Sequence, residues 1–300
     1  MRRWWSDAVV AADLVAGRAG LWLPGALAWV LTVGWLPLLV AVGRAPTAAD
    51  LTFLGARLYT SGAWPWNAAV VAAGAFGVTA AAIGLVAVAE AILVARRPGL
   101  SFRTVTRVTA IGVVTAAPAI AVVIAGAAAF VIVALGEFNA PGAGDPVWRA
   151  LSTIAPFALP LAAAWAGGAA AHAVAVREAA LGRAGIGEAL AAIPRRLRGA
   201  GAAGVLAATS GFLAALASAV VAAVLLRVLW APIEARLAVD GPDLAVAPLL
   251  VGFVGIWLCL VLGGGALHAW ASVTWTRVLA PAGRTGDEAR WRSTGEPHRP

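Results

Sequence analysis

The chain alternates six long apolar stretches with short segments that carry most of its charged residues. Each stretch exceeds the roughly 20 residues that an α-helix needs to cross about 30 Å of hydrocarbon. Backbone groups in lipid must find partners within the protein, so helices are expected there. The sequence therefore predicts an all-α, polytopic membrane protein. We number the predicted transmembrane helices span 1 to span 6: 21–43, 67–95, 108–135, 150–176, 203–230 and 245–275.

The positions of the 22 arginines predict the orientation of these spans. Seventeen lie in the N-terminus, the connections after spans 2 and 4, and the C-terminal segment. Positive residues beside spans remain in the cytoplasm, so both termini are predicted to be cytoplasmic, in a plasma (inner) membrane. The spans would then form three helical hairpins, each joined by an outer loop. Five arginines lie at or near those outer loops: Arg44, Arg57, Arg149, Arg227 and Arg236.

Outside the spans, the cytoplasmic segments have amphipathic patterns. Residues 1–20 are predicted to hold an interfacial amphipathic helix, 21–276 a single six-helix domain, and 277–300 a disordered tail. Shorter amphipathic patterns occur at 101–108, where Ser101 could cap the helix, and at 186–197. These helices either lie in the membrane surface or simply continue the spans.

Composition and charge agree with a membrane location. Hydrophobic residues make up 62% of the chain and charged residues 12%, which excludes an ordinary soluble domain. The net charge of +8 comes from basic residues at the ends of spans, so the expected partner is a bilayer that includes anionic lipids, with no nucleic acid. The absence of lysine and the abundance of Ala, Gly, Val and Arg suggest a bacterial source.

Three ionisable residues inside spans are the candidate site: Glu90, His172 and His268. Each lies near the predicted cytoplasmic end of an even-numbered span, after a tract of small residues. Ionisable groups in lipid are costly, so they are functional candidates by default. They either line a shared cytoplasm-facing cavity or lie separately near the headgroups. The neighbouring Arg177 and Glu178 are interpreted as ordinary boundary charges.

Glycines and prolines predict where helices pack closely or bend. Gly252, Gly255 and Gly263 to Gly265 make span 6 the best candidate for close helix packing. Prolines inside spans remove a backbone donor and are expected to kink the helix. They lie in spans 1, 3 and 4: Pro24, Pro37, Pro118, Pro156 and Pro160.

Recognisable catalytic motifs are absent from the sequence. A chain without lysine cannot form the phosphate-binding Gly-x-x-x-x-Gly-Lys-[Ser/Thr] loop, and neither His-Glu-x-x-His nor Gly-x-Ser-x-Gly occurs. The lone Cys259 excludes an intramolecular disulfide and a cysteine metal cluster. We therefore expect no enzyme activity, no cofactor and no metal.

Two short motifs occupy equivalent places in the predicted topology. They are Arg97-Pro98-Gly99-Leu100-Ser101 and Arg183-Ala184-Gly185-Ile186-Gly187, and Glu188-Ala189-Leu190 follows the second. From about 90 to 220 the chain resembles a broad group of bacterial six-span proteins. That group includes the membrane region that accompanies some glycerophosphodiester phosphodiesterases, whose catalytic domain this chain lacks. The topology is also similar to ABC-2-type permeases, with no residue carried over.

Two functions are compatible with these features. One is a transport-related, permease-like component or envelope-accessory protein whose energy comes from a separate ATPase subunit. That subunit would dock on the basic helices near 96–107 or 183–198. The other is a non-transporting membrane scaffold or lipid-interacting protein. A homo-oligomer is compatible with either.

Overall fold

The computed structural model describes residues 2–43, 53, 57, 60–95, 100–139, 146–181, 184–239 and 244–279. Among these residues the regular structure is helical and no strand occurs. Six helical segments are long and apolar enough to cross a membrane. The all-α class and the number of candidate spans are thereby confirmed. Most of the predicted tail, 277–300, lies outside the described residues.

The helices of spans 3, 4 and 5 extend beyond the predicted bounds by several residues at both ends, and span 6 ends four residues later than predicted, whereas spans 1 and 2 agree with the prediction to within one residue. In chain order the α-helices are Arg2–Ala16, the N-terminal helix; Trp22–Trp29 and Trp35–Val42, span 1; Trp66–Ala95, span 2; Phe102–Asn139, span 3; Pro146–Ile154 and Ala158–Leu181, span 4; Ile186–Val239, which includes span 5; and Ala247–Leu279, span 6.

Two of the predicted proline sites coincide with irregular helix geometry. In span 1 a π-helical turn, Val30–Gly34, precedes Pro37, and the Trp35 N–H donates to the Val30 carbonyl five residues back. Pro37 has no N–H to offer the preceding turn, so a local change of pitch there is expected. Span 4 is interrupted at Pro156 by the 3₁₀ turn Ala155–Phe157. Span 3, in contrast, continues as one helix through Pro118.

The amphipathic segments have different relations to their spans. The segment at 101–108 runs directly into span 3, and the Ser101 hydroxyl caps it by accepting the Thr104 N–H at 3.3 Å. The segment at 186–197 is separated from span 5 by Gly201, whose φ of 49° and ψ of −136° are not helical. Glycine reaches such a conformation without a Cβ penalty. A separate helix therefore precedes span 5, and we call residues 186–200 the connecting helix.

The N-terminal helix packs against the C-terminal part of span 6. It buries Ala8, Ala11 and Val15, which recur at helical spacing on one face. The Trp270 indole N–H donates to the Ala8 carbonyl at 2.9 Å, and Arg277 pairs with Asp7 at 3.2 Å. These contacts fix the N-terminal helix against the bundle.

Span 6 is the central packing element of the described structure. It contacts spans 1 and 5 extensively, and span 2 contacts spans 1, 3, 4 and 6. Spans 3 and 4 pack together, as do spans 5 and 6, whereas span 1 contacts spans 5 and 6 as well as span 2. Span 6 consequently positions side chains against both span 2 and span 4.

Close packing at span 6 involves only part of the predicted glycine set. A Cβ on Gly265 would come within 2.5 Å of the Ala26 backbone nitrogen, and one on Gly264 would overlap the Trp29 ring. Gly252, Gly255 and Gly263 have open space instead, so their predicted role in helix packing is wrong. These three face away from the helices that span 6 touches, which glycine content alone does not indicate.

Candidate polar site between spans 2, 4 and 6

Glu90 is the centre of a buried polar network. It lies on the buried face of span 2 with Ala87 and Ala91, and it is 9% exposed. One carboxylate oxygen, Oε1, is 2.7 Å from His268 Nε2. The other, Oε2, accepts the Ser272 hydroxyl at 2.7 Å. His268 and Ser272 are four residues apart in span 6, so one helix face presents both to Glu90.

Arg177 brings span 4 into the same network. Its Nη2 lies 3.9 Å from Glu90 Oε2 and donates to the Ser272 hydroxyl at 3.1 Å. Nη2 also donates to the Ser272 carbonyl, Nε donates to the Thr276 hydroxyl at 3.0 Å, and Nη1 donates to the Ala173 carbonyl at 2.6 Å. The planar guanidinium thus serves several acceptors in fixed directions, which a lysine could not do.

The interpretation of Arg177 as a boundary charge is wrong. The residue is only 5% exposed, and its donors are used inside the helix bundle. Its neighbour Glu178 forms an ion pair with Arg196 of the connecting helix at 2.7 Å. Adjacent residues on a helix point in different directions, so one turns into the bundle and the other turns toward the connecting helix.

The third predicted residue, His172, lies beside the network without joining its hydrogen bonds. Its Nδ1 is 3.4 Å from the Thr115 hydroxyl of span 3. Its Nε2 is buried and has no hydrogen-bond partner among the described residues. It lies five residues before Arg177 in the same helix. The structure therefore brings Glu90 and His268 into contact and places His172 nearby.

A small cleft between spans 1, 5 and 6 adjoins His268. Its volume is about 20 Å³, enough for a single water molecule, and its lining includes His268 together with Trp29 of span 1 and Gly211 of span 5. The His268 side chain is 21% exposed. Glu90 and His172 do not line this cleft, so a cavity shared by all three residues stays a prediction.

The arrangement can bind protons and hold helices together. One carboxylate faces a permanent cation, Arg177, and an imidazole that carries charge only when protonated. With Glu90 ionised and His268 neutral, the charges of the network cancel. The described residues contain no group of three His, Cys, Asp or Glu side chains that could hold a metal ion.

Sequence reasoning missed Arg177, Ser272 and Thr276 as members of the site. A signal was present, because His268, Ser272 and Thr276 follow one another at four-residue spacing and form a polar stripe on an apolar helix. Arg177 carried no comparable signal, since its position near the end of a span is also where boundary arginines occur.

Comparison with protein-family models, with curated proteins and with solved structures finds no match to this chain.

Proposed function

We propose that this chain is a bacterial inner-membrane protein with a non-enzymatic, transport-related role, in which spans 2, 4 and 6 form the functional centre. The observation that carries the proposal is the buried network of Glu90, Arg177 and His268. Ionisable residues within apolar helices are costly and mark ion or substrate pathways in membrane proteins. The cleft beside His268 supports the same assignment, because it gives one member of the network an accessible face.

A separate ATPase subunit is the proposed energy source. The connecting helix supports this, because Gly201 sets it off from span 5 and it exposes Arg195 and Arg198. Arg103 at the start of span 3 is exposed as well. With both termini in the cytoplasm, as proposed from the arginine distribution, these residues would form a basic docking surface. The topological similarity to ABC-2-type permeases points to the same kind of partner.

Copurification tests this proposal directly. The full chain, tagged and purified from its native host in mild detergent, is expected to bring down a nucleotide-binding subunit in stoichiometric amount. The double variant Arg195→Gln/Arg198→Gln should reduce the recovered subunit at least severalfold. Arg236→Gln is the matched control, because Arg236 is also exposed but lies at the other end of span 5. Recovery of the chain with lipid alone would contradict the proposal.

A membrane scaffold is the second candidate, and one observation favours it. Both oxygens of Glu90 and all three nitrogens of the Arg177 guanidinium have polar partners in the bundle. In the scaffold alternative, the sole role of these hydrogen bonds and ion pairs is to hold spans 2, 4 and 6 together. Under this alternative, Glu90→Gln, His172→Gln and His268→Gln should each complement a deletion strain whenever the protein accumulates normally. Loss of complementation at normal abundance would contradict the scaffold.

A further inference from the structure

We propose that Glu90 and His268 form a proton-binding site in which His268 takes up a single proton from the cleft. The inference rests on the proposed function, and it names the proton as the ligand of the polar network. It requires three features: a group that can accept the proton, an anion that stabilises the product, and access from outside the helix bundle.

The first two features follow from the contact between the side chains. With His268 neutral and its Nε2–H donating to Glu90 Oε1 at 2.7 Å, the incoming proton binds Nδ1. The product is an imidazolium that keeps the same hydrogen bond to a carboxylate. No other bond forms or breaks. Glu90 is held in place for this interaction by the Ser272 hydroxyl, which occupies its second oxygen.

The other charged groups around the pair come from span 4. Arg177 contributes a permanent positive charge 3.9 Å from Glu90 Oε2, and His172 is a second imidazole nearby. The neighbouring groups of spans 1 and 3 are uncharged: Trp29 lines the cleft beside His268, and the Thr115 hydroxyl is 3.4 Å from His172. At the N-terminal helix, Asp7 is paired with Arg277. Proton uptake therefore changes the charge of the network from zero to +1.

Access is provided by the cleft between spans 1, 5 and 6. The His268 side chain contacts Glu90 through Nε2 and is 21% exposed, and the ring also lines the cleft. Glu90 does not line the cleft. The imidazole therefore separates the carboxylate from the accessible space, and a proton that arrives through the cleft meets His268 first.

The test is ¹⁵N NMR of the histidine side chains on the full chain in detergent micelles, which distinguishes imidazole from imidazolium. The chain has only three histidines, His172, His268 and His298, so single Gln substitutions assign every signal. The His268 signal is expected to contain an imidazolium component. At the same pH, Glu90→Gln should lower the ratio of imidazolium to imidazole roughly tenfold, because a neutral amide does not stabilise the cation as a carboxylate does.

Two outcomes overturn the inference. One is a His268 signal without an imidazolium component, and the other is a ratio of imidazolium to imidazole that Glu90→Gln leaves unchanged. His172→Gln is the matched control and should leave the His268 ratio as it is in the unsubstituted chain. If His268→Gln fails to fold, the signal is still assigned by elimination from His172→Gln and His298→Gln. Copurification of an ATPase does not depend on this result, so the two proposals can fail separately.

Discussion

A single guanidinium connects three spans of the bundle at the polar network. Arg177 donates to its own helix at Ala173 and to span 6 at Ser272 and Thr276, and it lies beside Glu90 of span 2. Breaking a buried charge pair at one partner is costly, because the remaining charge and acceptors are left without compensation. Arg177 should therefore contribute strongly to the stability of the helix bundle.

We expect Arg177→Gln to lower the free energy of unfolding by about 3 kcal/mol or more, in the range seen for removal of one partner of a buried pair. Arg227→Gln is the matched control. Arg227 pairs with Glu234 at 2.8 Å, but its side chain is 51% exposed. An exposed pair contributes only about 0–1 kcal/mol. Unfolding of the purified variants by SDS in mixed micelles measures both values. Equal losses for the two variants would contradict the assigned role of Arg177.

At the scale of residues, the sequence predicted Glu90 and His268 as members of the site, but it did not predict which side chains contact them. Glu90 and His268 stood out because ionisable residues are rare in apolar helices. Ser272 and Arg177 did not, since hydroxyls commonly bond to their own helix and arginines commonly end a span. Which neighbours face one another depends on helix rotation, and rotation is fixed by packing between helices rather than by composition.

At the scale of elements, spans 1 and 6 approach one another through glycine. Gly25 of span 1 and Gly265 of span 6 have no room for a Cβ, because each would meet the backbone of the other helix. The Trp29 ring covers Gly264, and its indole N–H donates to the Ser218 hydroxyl of span 5 at 3.0 Å. Spans 1, 5 and 6 are thus joined beside the cleft that His268 lines.

Two glycine-to-alanine substitutions in span 6 distinguish the effect of close packing on stability from the effect of helix propensity. Gly265→Ala should lower the free energy of unfolding by about 1–3 kcal/mol, the usual cost of overpacking. Gly263→Ala should be neutral or slightly stabilising, because its Cβ would enter open space and alanine favours the helix. The same SDS unfolding measurement applies. If Gly263→Ala were as destabilising as Gly265→Ala, the proposed contact with span 1 would be wrong.

At the scale of the whole molecule, hydrophobic length was sufficient to predict the six apolar helices. The bounds were less well predicted, because span 3 begins at Phe102 and the helix that includes span 5 begins at Ile186, both within segments assigned as amphipathic. A helix can continue past the hydrocarbon boundary without any change in its backbone hydrogen bonds, so hydropathy does not show where it ends. Gly201 separates the segment at 186–197 from span 5, whereas the segment at 101–108 continues into span 3 without a break.

The orientation of the bundle remains a prediction from the arginines, and the chain offers a clean way to measure it. Cys259 is the only cysteine, so a Cys259→Ser background accepts single reporters. Thr60 lies before span 2 and Ser101 lies before span 3, and both residues are exposed. The two reporter variants are Thr60→Cys and Ser101→Cys. Because arginine-rich connections remain in the cytoplasm, a membrane-impermeant maleimide should label Thr60→Cys in intact cells and Ser101→Cys only after permeabilisation.

The opposite labelling pattern would show that the protein has the inverted orientation in the membrane. That result would also change the interpretation of the polar site. His268 lies nine residues before Arg277, and Arg177 lies six residues before Arg183, so the network is close to the end of the bundle that carries most of the arginines. In the predicted orientation this is the cytoplasmic end, where an ATPase bound to the connecting helix would be near spans 4 and 6. In the inverted orientation the basic surface would face away from any source of ATP, and the permease proposal would lose its energy source while the proton-binding site would keep its geometry.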